Sequence, residues 1–234
     1  MKVEVLYITD IYCVWCFGFA GVIDRLASER ADEVSVTVLN GGMIPRDVTL
    51  AGMFGRFPDP VGLHQNVTRM TGSRFGDNYM NELRNMRTSS RVLNSSRPTR
   101  AIAALRSFGT AGDLEIAQKI QRVWYVEGGD LQSTASYAPV AHELGVDFRD
   151  FCLRYESVET ADEVQSQWDW VGSMGVEGYP AVLTRTGENS FSMLARGYLP
   201  YDQLSARVDA ALALLENDMA ANGAVCALDG SGCD

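Results

Sequence analysis

The chain has 234 residues, of which 46% are hydrophobic and 21% are charged, and its formal net charge is −10. This length suits one large domain or a small domain that carries an insertion, with enough apolar residues for a sizeable core. An acidic surface repels phosphate backbones, which argues against nucleic acid as a partner. No segment reaches the roughly 18 consecutive apolar residues that a membrane-spanning helix needs. The N-terminal run lacks the features of a secretory leader, so we expect a cytoplasmic protein without a membrane partner.

The first elements in chain order are a strand, a pair of cysteines and a helix. The run KVEVLYIT is rich in β-branched and aromatic residues, which predicts a buried strand. The pair Cys13 and Cys16 follows, and apolar residues then recur at three- and four-residue steps as far as Ala27. We therefore expect Cys16 to face the core. Cys13 precedes the first helical turn and is expected at the surface.

A second strand and a long helical segment come next. EVSVTVLN alternates valine with polar residues and predicts a strand, whereas the patterns from about residue 48 to 175 are helical. The segment SSRPTRAIAALRSFG has a serine cap, Pro98 in its first turn and a glycine stop. Another segment, TADEVQSQWDWVGSMG, opens with Thr160 and Glu163, which predict a capping box.

Strands return in the last quarter of the chain. PAVLTR and FSMLAR, separated by TGENS, predict a hairpin, and DQLSARVDAALALLE predicts a final helix. The element order is therefore βαβ, several helices, then ββα. It predicts an α/β fold with a small mixed sheet and a large helical insertion. The predicted domains are a discontinuous sheet domain of residues 1–47 and 176–221, an inserted helical domain of residues 48–175, and a flexible tail of residues 222–234.

The spacing of Cys13 and Cys16 is compatible with half of a zinc site, a structural clip or a redox dithiol. A structural zinc site needs four ligands. Cys226 and Cys233 have six residues between them and lie far along the chain, and neither histidine has a neighbouring ligand. In the cytosol, where thiols are kept reduced, a close cysteine pair is typically catalytic, sensing or metal-binding. A redox dithiol is the favoured interpretation, with no metal and no cofactor, because the dithiol itself carries the electrons.

The position of Cys13 fits this chemistry. A thiolate, not a thiol, attacks a disulfide, and the free N–H groups at a helix N-terminus stabilise that anion. We therefore expect a lowered pKa at Cys13, with Cys16 one turn further into the helix. The carboxylate of Asp10 would oppose that effect, but Asp10 is interpreted as a solvated loop residue. Cys152 is interpreted as a small hydrophobic side chain.

The arrangement of motifs resembles a known family. A strand, Cys-x-x-Cys at the start of a helix, and a late VEGYPAVL before a hairpin and a helix are similar to thioredoxin. The inserted helices resemble the DsbA-like branch. DIYCVWCFGFAGVID and NSSRPTRAI are similar to cytosolic DsbA-family proteins of the FrnE type, a group of thiol–disulfide oxidoreductases and protein disulfide isomerases. The resemblance covers about residues 3 to 218 and implies a thioredoxin-like fold.

The resemblance also implies roles for individual residues. Cys13 corresponds to the nucleophile and Cys16 to the resolving thiol. Pro180 stands where the family has a cis-proline, and Tyr179 before it replaces the small or β-branched residue common in the family. Together with Val14 and Trp15, these two residues are the predicted substrate-binding positions. The implied partners are protein or small-molecule disulfides and glutathione.

Three points stay open at the level of sequence. Cys226 and Cys233 are either a second redox pair or two unpaired thiols of the tail. Kappa-type glutathione transferases and glutathione-dependent isomerases share the architecture, although they typically have serine at the first position and lack the second cysteine. A third possibility is an adaptor without catalysis that delivers another protein for proteolysis.

Overall fold

The computed structural model describes residues 2–228 of the protein, with side chains described as far as residue 216. Its strands are β1 (Val3–Thr9), β2 (Val34–Asn40), β3 (Val48–Thr49), β4 (Val92–Leu93), β5 (Ala181–Gly187) and β6 (Ser190–Arg196). The helices are α1 (Val14–Glu29), α2 (Leu50–Phe54), α3 (Pro60–Thr71), α4 (Asp77–Arg84), α5 (Ser96–Arg106), α6 (Asp113–Arg122), α7 (Ala138–Glu143), α8 (Phe148–Glu156), α9 (Val158–Ser173) and α10 (Tyr201–Leu228). A π-helical turn (Val123–Glu127) follows α6, and a 3₁₀ turn (Thr134–Tyr137) precedes α7.

The main sheet has the strand order β2-β1-β5-β6. Strands β1 and β2 are parallel, with Val3 opposite Val34, and α1 connects them. Strand β5 runs antiparallel to β1, with Leu6 opposite Leu183, and forms a hairpin with β6. The predicted mixed sheet, parallel in its first unit and antiparallel in its last, is confirmed.

Strand β1 is buried on both of its faces, which explains its continuous apolar sequence. Val5 and Tyr7 point to a core shared with α1 and α10, where Phe19 and Leu204 pack. Alternate residues of a strand point to opposite faces. Leu6 and Ile8 accordingly belong to a second core on the other face, which α9 covers with Val171.

Helices α3 and α6 pack against α1, and the other inserted helices pack mainly on one another. Their core is rich in aromatic residues, including Phe54, Trp124 and Tyr125. Gly18 permits the close approach of α3, because a Cβ atom there would lie 2.8 Å from a methyl group of Val67. The insertion is therefore anchored directly on the helix that begins at the cysteine pair.

Several local predictions are wrong in detail. Ser95 precedes α5 but makes no side-chain cap, because its hydroxyl accepts the N–H of Ile44. Helix α9 starts before the predicted capping box, and Ser157 caps it by accepting the N–H of Thr160. The short β3–β4 ladder was not predicted, since two-residue strands carry no periodicity. Helix α10 runs to Leu228, past the predicted start of the tail.

The division of the chain into domains stays a prediction. Helix α9 falls within the predicted insertion, yet it packs on the sheet through Val171. Within the part of the chain that the structure describes, no helix has both the length and the hydropathy to cross a bilayer.

Candidate active site

Cys13 lies at the N-terminus of α1. Its backbone is extended, with φ −80° and ψ 111°, and its Sγ accepts the N–H of Cys16 at 3.2 Å. The first turn of α1 contains no acidic residue. An N-cap position exposes the sulfur to N–H groups that have no partner within the helix. The cysteine thus occupies the capping position that serine or aspartate usually takes.

The predicted exposure of Cys13 is wrong. Its relative exposure is 5%, and that of Cys16 is 0%. Burial is the largest of the effects that raise the pKa of the Cys13 thiol, followed by the neighbouring Cys16 and then by Asp10. The backbone N–H of Cys16 lowers this pKa, but burial outweighs it, so the expected lowered pKa is also wrong. A buried thiol is less readily ionised than an exposed one.

Asp10, interpreted from the sequence as a solvated loop residue, is 1% exposed. Its carboxylate accepts the N–H of Tyr12 at 2.9 Å and the N–H of Met43 at 2.8 Å. Its backbone carbonyl accepts the N–H of Cys13 at 3.1 Å. Burial raises the pKa of the Asp10 carboxyl, and hydrogen bonds from Ser95, Met43 and Tyr12 oppose that rise. A buried carboxylate therefore supports the loop that carries the cysteines.

The Tyr179–Pro180 peptide bond is cis, as the resemblance implied. Pro180 is buried and its carbonyl accepts the N–H of Gly197 at 2.7 Å. The side chain of Tyr179 turns toward the end of β2, where its hydroxyl donates to the carbonyl of Gly41 at 2.6 Å. Burial, followed by the charges of Asp10 and the two cysteines, raises the pKa of Tyr179 to about 12. The hydroxyl is therefore a neutral donor at physiological pH.

The two glycines after β2 lie under aromatic rings. A Cβ atom on Gly41 would lie 2.1 Å from the ring of Tyr179, and one on Gly42 would lie 2.6 Å from the ring of Trp168. Gly42 also has φ +68°, a conformation that favours glycine. The next residue, Met43, donates its N–H to Asp10. This glycine loop links the proline loop to the buried carboxylate beside Cys13.

A groove of about 250 Å³ lies beside the dithiol. Its lining residues are Trp15, Met70, Tyr179, Gly197 and Tyr198. The rings of Trp15 and Tyr198 lie 6.1 Å apart, and the Tyr198 hydroxyl donates to the carbonyl of Met70. Met70, Gly197 and Tyr198 were missed at the level of sequence, because no motif marks them.

The other predicted site residues have different surroundings. Val14 is buried in the core formed with the insertion and does not line the groove. Cys152 is half-buried on α8 and is a free thiol. Cys233 lies outside the described residues, and Cys226 lies where only the helical backbone is described. The predicted tail pair therefore stays a prediction.

The described residues contain no group of three or more His, Cys, Asp or Glu side chains placed to hold a metal ion. His64 is fully buried between the carbonyl of Pro60 and the hydroxyl of Tyr79, each 2.7 Å from one of its ring nitrogens. Because a carbonyl only accepts, Nδ1 carries the proton and Nε2 accepts from Tyr79. Burial lowers the pKa of His64 to about 4. It is a satisfied core histidine.

No protein-family model matches the chain, and a search of curated proteins finds no match either. Solved structures do match. A crystal structure from Nitrosomonas europaea, described as a putative protein disulfide isomerase, is 22% identical, with a TM-score of 0.78, over 92% of this chain and 99% of that chain. The cytosolic disulfide reductase DsbM from Pseudomonas aeruginosa is 21% identical, with a TM-score of 0.66, over 92% and 98%.

Two further structures bear on the alternatives. DsbM from Pseudomonas aeruginosa in a structure with GSH is 23% identical, with a TM-score of 0.63, over 92% of this chain and 98% of that chain. A 2-hydroxychromene-2-carboxylate isomerase is 13% identical, with a TM-score of 0.61, over 93% and 98%. The chain thus has the thioredoxin-like fold with helical insertion that DsbA-like oxidoreductases share. Structural likeness at identities this low shows a shared fold and does not by itself show a shared reaction. The FrnE-type assignment stays a prediction.

Proposed function

We propose that this DsbA-like chain is a thiol–disulfide oxidoreductase, acting as a disulfide reductase or isomerase with Cys13 and Cys16 as its redox pair. The observation that carries the proposal is the capping geometry, in which the sulfur of Cys13 accepts a hydrogen bond from the N–H of Cys16. That N–H is placed to stabilise the anion that attacks a disulfide. No metal or nucleotide takes part, because the dithiol itself donates the two electrons.

The reaction proceeds through a mixed disulfide. The Cys13 thiolate attacks one sulfur of the substrate disulfide, the substrate S–S bond breaks, and the other sulfur leaves as a thiolate that takes up a proton. Cys16 then loses its proton and attacks the Sγ of Cys13, which releases the second substrate thiol. The substrate gains two electrons and two protons, and the protein is left with a Cys13–Cys16 disulfide.

The surroundings of the pair favour reduction of substrates over their oxidation. Strong oxidants of this fold owe their potential to a stabilised thiolate in the reduced state. Here burial and the Asp10 carboxylate raise the pKa of Cys13, which disfavours that thiolate. Two glutathione molecules would restore the dithiol by forming glutathione disulfide, and the DsbM structure with GSH supports this co-reactant. The likeness to a cytosolic reductase also supports a cytoplasmic location.

Substrate binding is proposed along the proline loop and the groove. Within the described residues, neither the N–H nor the carbonyl of Tyr179 forms a backbone hydrogen bond. An extended polypeptide can therefore pair with this residue as an added strand. The rings of Trp15 and Tyr198 offer apolar contact beside the pairing edge.

The test is reduction of insulin and of a neutral small disulfide with glutathione as electron source. We expect Cys13→Ser to abolish turnover and Cys16→Ser to accumulate mixed disulfides through Cys13. Cys152→Ser is the matched control, because this free thiol lies on α8 and should leave turnover unchanged. Faster alkylation of Cys16 than of Cys13 at neutral pH would contradict the assignment of the nucleophile.

One rival function has a specific observation in its favour. The structural likeness to 2-hydroxychromene-2-carboxylate isomerase supports a glutathione-dependent isomerase or transferase as the second candidate function. Such a reaction does not consume a dithiol. Conjugation or isomerisation that survives Cys16→Ser, without disulfide reductase activity in the wild type, would favour the rival.

A further inference from the structure

Positive charge is concentrated in one segment of this acidic chain. Residues 46–106 contain ten arginines and four acidic residues, although the whole chain has 20 basic and 30 acidic residues. Among the described residues, ion pairs hold two of these ten arginines but seven of the ten basic residues elsewhere. The segment's exposed arginines, all outside those pairs, are Arg46, Arg56, Arg69, Arg74, Arg84 and Arg87.

Two of these arginines line one cleft. This α3–α4 cleft has a volume of about 310 Å³ and lies between helices α3 and α4. Arg74 and Arg84 are exposed at its sides, whereas Met80 and His64 are buried beneath them. Among the described residues that line it, only Asp77 is acidic. The cleft therefore combines two cationic groups with an apolar base.

The α3–α4 cleft and the groove beside the dithiol lie on opposite sides of the last turns of α3. Thr68 lines the cleft and Met70 lines the groove. Residues two apart on an α-helix point about 200° from each other, so these side chains diverge. A helix with its side chains is about 10–12 Å wide. The path around half of such a helix is about 16–19 Å, and an extended chain covers about 3.3 Å per residue, so about five or six residues cross from groove to cleft.

We propose that the α3–α4 cleft binds an acidic segment of the protein substrates whose disulfide reaches Cys13. The proposal rests on the proposed function, because the substrate must dock at the neighbouring groove. Acidic side chains about five or six positions from the substrate cysteine fall within reach of Arg74 and Arg84. Unpaired positive charge next to a docking site selects negative partners and speeds their association.

The rest of the surface argues for a protein partner over nucleic acid. The net charge of −10 opposes binding of a long phosphate backbone beyond the arginine-rich segment. A short acidic peptide contacts only the arginine-rich segment and is therefore not repelled by the acidic remainder of the surface. Its backbone can at the same time pair with the free edge of Tyr179, which a nucleic acid cannot do.

The test uses three fluorogenic peptide disulfides with the same residues around the cysteine. They carry glutamate, glutamine or lysine at the fifth and sixth positions, with versions for either side of the cysteine. The measured quantity is the ratio of kcat/KM between the glutamate and glutamine peptides. We expect a ratio of about five in the wild type at low salt, falling toward one at high salt. The lysine peptide should be the poorest substrate.

Substitutions assign that preference to the cleft. We expect the ratio to fall to about one in Arg74→Gln/Arg84→Gln and to rise in Asp77→Asn. Arg149→Gln, an exposed arginine on α8 with no ion pair among the described residues, should keep the wild-type ratio. A wild-type ratio of one, or a ratio unchanged in the double variant, would overturn the proposal. So would tighter binding of an oligonucleotide than of the glutamate peptide through the same two arginines.

The same data separate this proposal from the proposed function. Turnover of a neutral small disulfide by the wild type depends on the dithiol and not on the cleft. If that turnover is present and the glutamate preference is absent, the docking proposal alone fails. If neither disulfide class is reduced, the proposed function fails.

Discussion

The hydroxyl of Tyr179 donates to the carbonyl of Gly41, and the Tyr179 ring occupies the space that a Cβ atom on Gly41 would need. The position of the Tyr179 ring therefore requires glycine at residue 41. We expect Gly41→Ala to displace the ring and to lower both the melting temperature and disulfide turnover. Tyr179→Val removes the ring, so Gly41→Ala should lower the melting temperature and the turnover much less in the Tyr179→Val background. Equal losses from Gly41→Ala in the two backgrounds, measured in a double-mutant cycle, would show that the ring does not set the constraint.

Removal of the Asp10 charge is expected to make Cys13 more acidic. In Asp10→Asn the raising effect of the carboxylate on the Cys13 pKa is lost, so alkylation of Cys13 should shift to lower pH. Each unit of lowered pKa is worth about 1.4 kcal/mol, or about 30 mV toward a more oxidising potential. The variant should also lose about 1–3 kcal/mol of stability, since an amide cannot accept all the N–H groups that the carboxylate does. An unchanged alkylation profile in a folded variant would contradict the role of Asp10.

His64 should make folding stability depend on mildly acidic pH. Its folded pKa of about 4 lies below its usual value of 6.5, so the unfolded chain takes up a proton that the folded chain excludes. Stability from this group is present above about pH 6.5 and is lost as the pH falls toward 4. Between pH 7.5 and 4.5 the loss amounts to about 2–3 kcal/mol.

The variant His64→Gln isolates that effect. We expect it to be less stable than the wild type at pH 7.5, because the contacts to Pro60 and Tyr79 change. Its stability should nevertheless fall by about 2–3 kcal/mol less than that of the wild type on going to pH 4.5, as measured by urea unfolding. Parallel pH curves for the two proteins would mean that His64 already titrates normally in the folded state.

A redox role of Cys226 and Cys233 is directly measurable. If the pair exchanges with Cys13, oxidised protein should contain a Cys226–Cys233 disulfide, and Cys16→Ser should trap Cys13 bound to one of the two. Replacement of both tail cysteines by alanine should then lower turnover. Full turnover in that variant, with no tail disulfide in peptide mass maps, would leave two unpaired thiols as the correct interpretation.

Local sequence patterns were sufficient for the sheet and for the position of the cysteines. The apolar run of β1 and the periodicity after Cys16 depend on neighbours in sequence, and both predictions are confirmed. The environment of the site depends on distant parts of the chain. The buried carboxylate of Asp10 accepts the N–H of Met43, 33 residues away, and Tyr179 reaches Gly41 across 138 residues. The burial of Cys13 could not be predicted for the same reason, because no local sequence pattern indicates how the insertion packs on α1.

The burial of Cys16 bears on how the protein withstands oxidants. A peroxide that reaches Cys13 forms a sulfenic acid, which becomes irreversibly oxidised unless a second thiol condenses with it first. Cys16 is fully shielded from solvent, and its N–H contacts the Cys13 sulfur, so it stays reduced and close to the damaged residue. We expect the protein to stop at the Cys13–Cys16 disulfide, which glutathione can reverse. Sulfinic acid at Cys13 should accumulate under peroxide only when Cys16 is replaced.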